Sequence, residues 1–333
     1  MELVLVAAIA FGAGLIAWLG TGALIPMLRR RAMFDRPNER SLHAIPIPRG
    51  AGIAVVGAIL LACLALSQLV PTPTISRPIL VGAALLAAVS WIDDVRSLPA
   101  AVRLAVQLVA VGLALRAGLP AGLVFQGWLP PALDGIATAG LWLWFINLFN
   151  FMDGIDGLAG SEAAAIGIGL MLFAGVGIGR DPELVMLSAA ITAAAAGFLI
   201  WNWAPARIFL GDVGSVPLGY LLGFLLLDQA AQGRWEIALI LPLYFLADAT
   251  ITLLRRLWRG ARVWRAHREH FYQRAVQRGH GHAAVVQRVI AADIVLIGCG
   301  FAAENGWPIF GLVGAAVTVA VLLAWLAGAR APG

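Results

Sequence analysis

The chain has 333 residues, 61% of them hydrophobic and 12% charged, against roughly 45–50% and ~25% in an ordinary soluble domain. With a mean hydropathy of +0.89, and about 20 residues to each helical crossing, this composition excludes a soluble globular domain, a disordered chain and a fibrous repeat. It also excludes an outer-membrane barrel, whose strands alternate polar and apolar residues. The net charge of +5 is carried entirely by Arg. The absence of Lys excludes Schiff-base chemistry and a phosphate-binding P-loop lysine.

Apolar runs fall at about 3–28, 50–70, 78–92, 100–117, 136–152, 161–179, 184–201, 213–228, 235–254, 286–302 and 308–328. They predict an all-α, polytopic membrane protein of about eleven transmembrane helices, forming a single transmembrane domain over 1–333. The first run is no cleavable signal: Glu2 replaces a basic leader, and Arg29, Arg30 and Arg31 follow it. Cys63 and Cys299 sit within apolar runs and form neither a disulfide framework nor a zinc motif. Arginines crowd the first loop and the loop after the ninth run, and are sparse elsewhere. The positive-inside rule then predicts an outside N-terminus and a cytoplasmic C-terminus. It places the loops at about 29–49, 93–99, 153–160, 202–212 and 255–285 in the cytoplasm, and the polar clusters fall in them. Arginines beside apolar helices orient a membrane protein, so no nucleic-acid partner is implied.

The clusters carry different chemistry. The first loop offers Ser41, His43 and Arg49 on a proline-stiffened frame suited to an anionic substrate. Asp93 and Asp94 end the third run; such a pair supplies a metal ligand and a base, or a solvated helix end balanced by Arg96. Asn147, Asn150, Asp153 and Asp156 recur every third residue, a stripe drifting round the end of one helix. Two amides and two carboxylates cannot face lipid, so they require a cation, a nucleotide or a neighbouring helix. Asp212, flanked by Gly211 and Gly214, opens the eighth run. It either caps that helix or holds Mg²⁺ against a phosphate drawn to the free amides. The 255–285 loop reads either as an amphipathic helix on the membrane surface, its histidines incidental, or as a loop closing on the substrate, with His267 and His270 as phosphate donors rather than a metal pair and Arg265 and Arg268 as bidentate contacts. His280 and His282 read as flexible loop residues.

In this order, Asp-Asp at 93–94, N-x-x-N-x-x-D-G-x-D-G at 147–157, F-L-G-D-V-G-S at 209–215 and the His267–His270 segment resemble the polyprenyl-phosphate N-acetylhexosamine-1-phosphate transferase family. The likeness spans about 35 to 280. It implies attack of undecaprenyl phosphate on a UDP-N-acetylhexosamine, releasing UMP and leaving a polyprenyl-diphospho-sugar, with Mg²⁺ (or Mn²⁺) as cofactor. It implies Asp93, Asp94, Asp153 and Asp156 as catalytic residues and Asp212 with Asp93 as metal ligands. Asn147, Asn150, His267, His270, Arg268, Ser41, His43 and Arg49 become the substrate contacts. The location implied is the bacterial inner membrane, and a homodimer is compatible. Two departures stand out: no Lys follows the aspartate pair, and the histidine motif reads H-R-E-H-F-Y-Q. That form resembles the O-antigen branch using UDP-N-acetyl-6-deoxyhexosamines such as FucNAc or QuiNAc, and it argues against the MurNAc-pentapeptide enzyme; GlcNAc is the other sugar the family implies. The competing readings are a secondary transporter, which needs midplane sites in repeated halves, and a CDP-alcohol phosphatidyltransferase, whose motif requires an Arg soon after D-G.

Overall fold

The computed structural model describes residues 2–35, 37, 42–43, 45–69, 77–118, 120, 122–176, 181–262 and 267–328. In chain order they form α1 (Glu2–Arg30), β1 (Phe34–Asp35), β2 (Ile47–Pro48), α2 (Gly52–Leu69), α3 (Arg77–Arg96), α4 (Ala100–Arg116), α5 (Pro131–Phe151), α6 (Leu158–Val176) and α7 (Pro182–Asn202). There follow α8 (Asp212–Ala231), α9 (Trp235–Ile240), α10 (Leu243–Trp258), α11 (Phe271–Gln277), α12 (His282–Glu304) and α13 (Pro308–Gly328). The protein is an all-α polytopic membrane protein whose extended pairings, among the described residues, are the two-residue antiparallel ladder β1–β2 and a single parallel bridge between Arg49 and Phe209.

Among the described residues each apolar run is mainly helical, because only a helix satisfies its own backbone polar groups in lipid. Among the described residues eight helices, α1, α3, α5, α6, α7, α8, α12 and α13, are long and apolar enough to cross a membrane. The boundaries have local causes. Pro131 and Pro182 occupy first helical turns, where no amide partner is lost. Asp181 caps α7 by accepting from the Leu184 amide at 3.0 Å. The ninth run, expected as one span, is broken at Pro242 into α9 and α10, since proline cannot join the hydrogen-bond ladder.

The apolar window of α8 is wholly buried, and α2, α3, α5, α6 and α9 pack round it. Trp142 stacks on Tyr220 at 4.8 Å and donates from Nε1 to the Tyr220 carbonyl at 2.8 Å, locking α5 to α8. Outer helices show bare apolar side chains such as Phe11, Val109, Phe310 and Val321, as a lipid-facing surface does. This packing gathers the ends of α3, α5 and α10 and the starts of α2, α4 and α8 at one end of the bundle.

Candidate active site

The first loop and the loop before α8 are stitched together. The Phe209 amide donates to the Pro48 carbonyl at 2.8 Å, and the Gly50 and Ala51 amides donate to the Phe209 carbonyl at 3.0 Å. Gly52 at the start of α2 lies against the backbone of Gly214, so close that a Cβ would collide with it. Gly211 turns the chain into α8 at φ +78°, where a Cβ would come within 2.8 Å of Asp94 Oδ2.

Asp94 explains that turn. From the end of α3 it accepts the Asp212 amide at 3.2 Å and the Val213 amide at 3.0 Å, capping α8 from another helix. The next amides, of Gly214 and Ser215, donate to the Gly211 carbonyl. The expected phosphate site on free α8 amides is therefore absent: Asp94 and Gly211 occupy them. Asp94 also meets Arg49 at 2.8 Å and does not line the cavity described below.

Asp93 points the other way. Its Oδ1 accepts the Leu98 amide at 2.6 Å, and its Oδ2 lies 3.3 Å from Arg103. Arg103 reaches Asp212 Oδ2 at 3.5 Å, while Arg49 pairs with Asp212 Oδ1. Three carboxylates and two guanidiniums thus interleave. Burial alone would weaken the Arg49 charge, but Asp212 and Asp94 outweigh it and raise the guanidinium above its ordinary value. Arg96, read in the sequence as the balancing charge, is exposed; Arg103 fills that role.

The α5 stripe divides. Asn147 donates to Gln107 of α4 and to the Leu143 carbonyl, both at 2.7 Å. Asn150 accepts from the Ser215 hydroxyl at 2.7 Å. Asp153 lies just beyond the helix and lines the cavity. Burial, with Arg49 opposing and Asp212 and Asp94 adding, pushes its carboxyl up to about 7. Asp156 departs from expectation, because α5 has already ended at Phe151 and the three-residue period no longer places it. It faces away from the cavity, 3.1 Å from His282 Nδ1 and accepting the Ala206 amide at 3.0 Å. Burial works against its charge, yet those hydrogen bonds hold its carboxyl below the ordinary range. His282 is therefore an anchor, and His280 packs on Trp325 at 4.8 Å; neither is a free loop residue.

The 255–285 segment is likewise docked. Glu269 binds Arg256 and Arg259, and α11 turns Phe271 and Tyr272 inward. The Tyr272 hydroxyl donates to the Phe151 carbonyl at 3.0 Å, tying α11 to the end of α5. His267 and His270 stack at 4.9 Å and both line the cavity. Burial, reinforced by His270 and Arg256, lowers His267 to about 4. Arg268 is exposed and away from the cavity, so it is not among its walls. His43 packs edge-on against Phe209 at 5.0 Å, 3.8 Å from Asp35. Ser41 and Arg265 lie outside the described residues.

One cavity of about 960 Å³ collects these groups. Asp93, Asp153, Asp212, Arg49 and Arg103 form its charged wall, and Asn147, Asn150, His43, His267 and the buried His270 line it too. Leu104, Leu143, Trp144 and Leu253 form an apolar flank. Sequence reading missed Arg103, Gln107, Tyr272 and Asp248, which is fully buried on α10 behind His270. For Asp248 the available signal was a carboxylate deep inside an apolar run.

A family model described as Glycosyl transferase family 4 matches residues 77–230. A decaprenyl-phosphate N-acetylglucosaminephosphotransferase of Mycobacterium tuberculosis (strain ATCC 25618 / H37Rv) is 29% identical over 317 residues, covering 82% of this chain and 76% of the relative. A probable undecaprenyl-phosphate N-acetylglucosaminyl 1-phosphate transferase of Bacillus subtilis (strain 168) is 28% identical over 286 residues, 83% of this chain and 78% of the relative. A phospho-N-acetylmuramoyl-pentapeptide-transferase of Synechococcus sp. (strain RCC307) is 29% identical over 273 residues, 74% and 72%. The family match runs from the start of α3 nearly to the end of α8 and so contains Asp93, Asp94, Asn147, Asn150, Asp153 and Asp212. Motif order, likeness and the joining of these residues at one end of the bundle lead to one conclusion: residues 77–230 match glycosyl transferase family 4, and the likeness to its polyprenyl-phosphate phosphotransferases extends over most of the chain.

Proposed function

We propose that this protein transfers an N-acetylhexosamine-1-phosphate from a UDP-sugar to a polyprenyl phosphate, releasing UMP. The observation that carries this reading is the meeting of five separate polar clusters at one cavity with both a charged wall and an apolar flank. A charged nucleotide sugar and a lipid phosphate need those two surfaces side by side. The family match sets aside the transporter and phosphatidyltransferase readings.

Phosphoryl transfer demands charge neutralisation and in-line positioning more than covalent help. Arg49 and Arg103 supply fixed positive charge beside Asp93 and Asp212. The donor set also suits Mg²⁺: Asp93 and Asp212 are hard oxygen ligands that already share one cation, Arg103. Among the described residues no three acidic, His or Cys side chains form a complete cage. That fits a metal held by one or two carboxylates and otherwise by water and substrate phosphates. When bound, the ion would neutralise charge on the transferring phosphate. Asp93 orients the lipid phosphate; with a second pKa of about 6, that phosphate is already largely ionised near neutrality and needs no strong base. Asp94 holds the start of α8, and with it Asp212, in place.

The arginine bias puts the cavity end of the bundle in the cytoplasm, with Arg29 and Arg30 closing α1, Arg31 following it, and Arg255 and Arg256 closing α10 there. The N-terminus then faces out, and the membrane is the bacterial plasma membrane. The H-R-E-H-F-Y-Q segment supports an N-acetylhexosamine or its 6-deoxy form and a place at the start of a surface polysaccharide. The test is purified protein with Mg²⁺, undecaprenyl phosphate and a panel of UDP-N-acetylhexosamines. UMP release that stops in excess EDTA is expected; turnover undiminished by EDTA, or no release with any sugar, overturns the reading.

A further inference from the structure

Asp248 is the most heavily engaged carboxylate outside the charged wall. It sits on α10 with no exposed surface. One oxygen accepts the Phe271 amide at 3.0 Å and the Thr252 hydroxyl at 3.3 Å; the other accepts the Tyr272 amide at 3.2 Å and the Tyr244 hydroxyl at 3.4 Å. The fifth partner is the ring of His270, whose Nδ1 lies 3.1 Å from Oδ1. Two amides and two hydroxyls already satisfy this carboxylate, so the ring adds nothing that Asp248 lacks.

The ring gains more than the carboxylate does. A neutral imidazole carries its proton on one nitrogen, and the hydrogen bond made there decides which. An ionised carboxylate accepts only, so the proton facing Asp248 lies on Nδ1. The remaining polar atom of a ring that lines the cavity is then Nε2. It is an acceptor in the neutral ring, and a donor to a phosphate oxygen only in the imidazolium, for which Asp248 is the counter-charge. The neighbouring ring is set the opposite way. His267 Nδ1 accepts the Glu269 amide at 3.3 Å, which leaves the neutral ring's proton on Nε2. Two rings 4.9 Å apart thus present unlike edges.

We propose that Asp248 is a positioning residue that fixes the orientation and tautomer of His270, with its proton on Nδ1 and Nε2 left for the substrate. The inference rests on the transferase reading above. It deepens it by moving one determinant of the reaction to a residue that does not line the cavity. The α10 helix reaches that spot because Pro242 breaks the ninth apolar run, and α11 is hung from the same carboxylate through the Phe271 and Tyr272 amides.

Two measurements test it on the full-length protein in lipid nanodiscs. The first is ¹⁵N NMR of histidine-labelled wild type at pH 7.5, with His270→Gln used to assign the signal. A proton on Nδ1 is expected; an Nε2–H neutral tautomer for His270 overturns the proposal, whether or not the protein turns over UDP-sugars. The second is a double-mutant cycle on UMP release with Asp248→Asn, His270→Gln and both. An amide keeps the shape but has one acceptor oxygen: with its oxygen on the Tyr272 amide, its NH2 takes the place of Oδ1, gives up the Phe271 amide, donates to Nδ1 and reverses the tautomer. Asp248→Asn is expected to lower kcat about a hundred-fold or more, with KM for the nucleotide sugar within a few-fold. Adding it to His270→Gln should cost little further, because residues acting as a unit are non-additive. Additive losses, or a loss matched by a lower Tm alone, contradict positioning through His270. Should Asp248→Asn not fold, the tautomer measurement on wild type still decides. Absence of UMP release from wild type itself would instead count against the transferase reading.

Discussion

Two adjacent aspartates at the end of α3 carry different duties, and mutation should separate them. Asp94 caps α8 through two amides and meets Arg49. Removal of a capping side chain costs about 0.5–2 kcal/mol, so Asp94→Ala should lower Tm as well as turnover. Asp93 keeps its Leu98 contact in Asp93→Asn but loses a charge beside Arg103. That variant should lose turnover with Tm and nucleotide-sugar binding nearly unchanged, whereas Asp212→Ala should lose turnover together with its Mg²⁺ dependence. Thermal unfolding and equilibrium binding on the three proteins check this, and equal Tm losses in the first two would refute the division. Asp153 supplies a pH signature. Its carboxyl is pushed from 3.8 to about 7 in the fold. The folded chain therefore holds a proton that the unfolded chain has released, so its contribution to stability falls as pH rises from about 4 through about 7. The Tm of Asp153→Asn relative to wild type should climb over that window and level off above it. A pH-independent difference would show that Asp153 titrates normally.

At the scale of elements, hydropathy made the helices legible, and among the described residues each of the eleven apolar runs is mainly helical. It did not register the break at Pro242, because two short apolar helices and one long one have the same composition. The three-residue stripe was legible as far as Asp153; Asp156 escaped it because the helix stops at Phe151 and the chain turns toward α12. The 255–285 segment has the composition of a surface helix, but composition does not say which face docks. Glu269 binds Arg256 and Arg259 while Tyr272 reaches α5, turning the histidines inward. Arg259 is exposed, and an exposed ion pair is worth about 0–1 kcal/mol. Arg259→Gln should therefore stay within a few-fold of wild-type kcat/KM. His267→Gln and His270→Gln should each lower it at least about tenfold, the value of one charge-assisted hydrogen bond. Steady-state assays in one detergent make the comparison, and equal effects would return the segment to a surface role. Element packing also has a sharp test in Gly52→Ala. Its methyl would strike the Gly214 backbone, which cannot move without displacing Asp212. Lower Tm and lower activity should appear together; a neutral variant would mean that α2 and α8 can separate at no cost.

For the whole molecule, the sequence placed its polar clusters on one side of the membrane, and the fold brings residues from all five to one cavity. What could not be read was which member of each cluster faces that cavity. Asp94, Asp156 and Arg268 do not, and Arg103 and Gln107, from an unmarked apolar run, do. Periodicity fixes the face of a helix, but the choice between adjacent side chains at its end depends on the loop it meets. The central claim is that the bond broken lies between the two phosphates of the nucleotide sugar. The direct measurement uses a UDP-N-acetylhexosamine labelled with ³²P in the β-phosphate, incubated with the protein, Mg²⁺ and undecaprenyl phosphate. The account predicts that the label moves into the lipid product while unlabelled UMP is released. Label recovered in UDP, with sugar alone on the lipid, would contradict it.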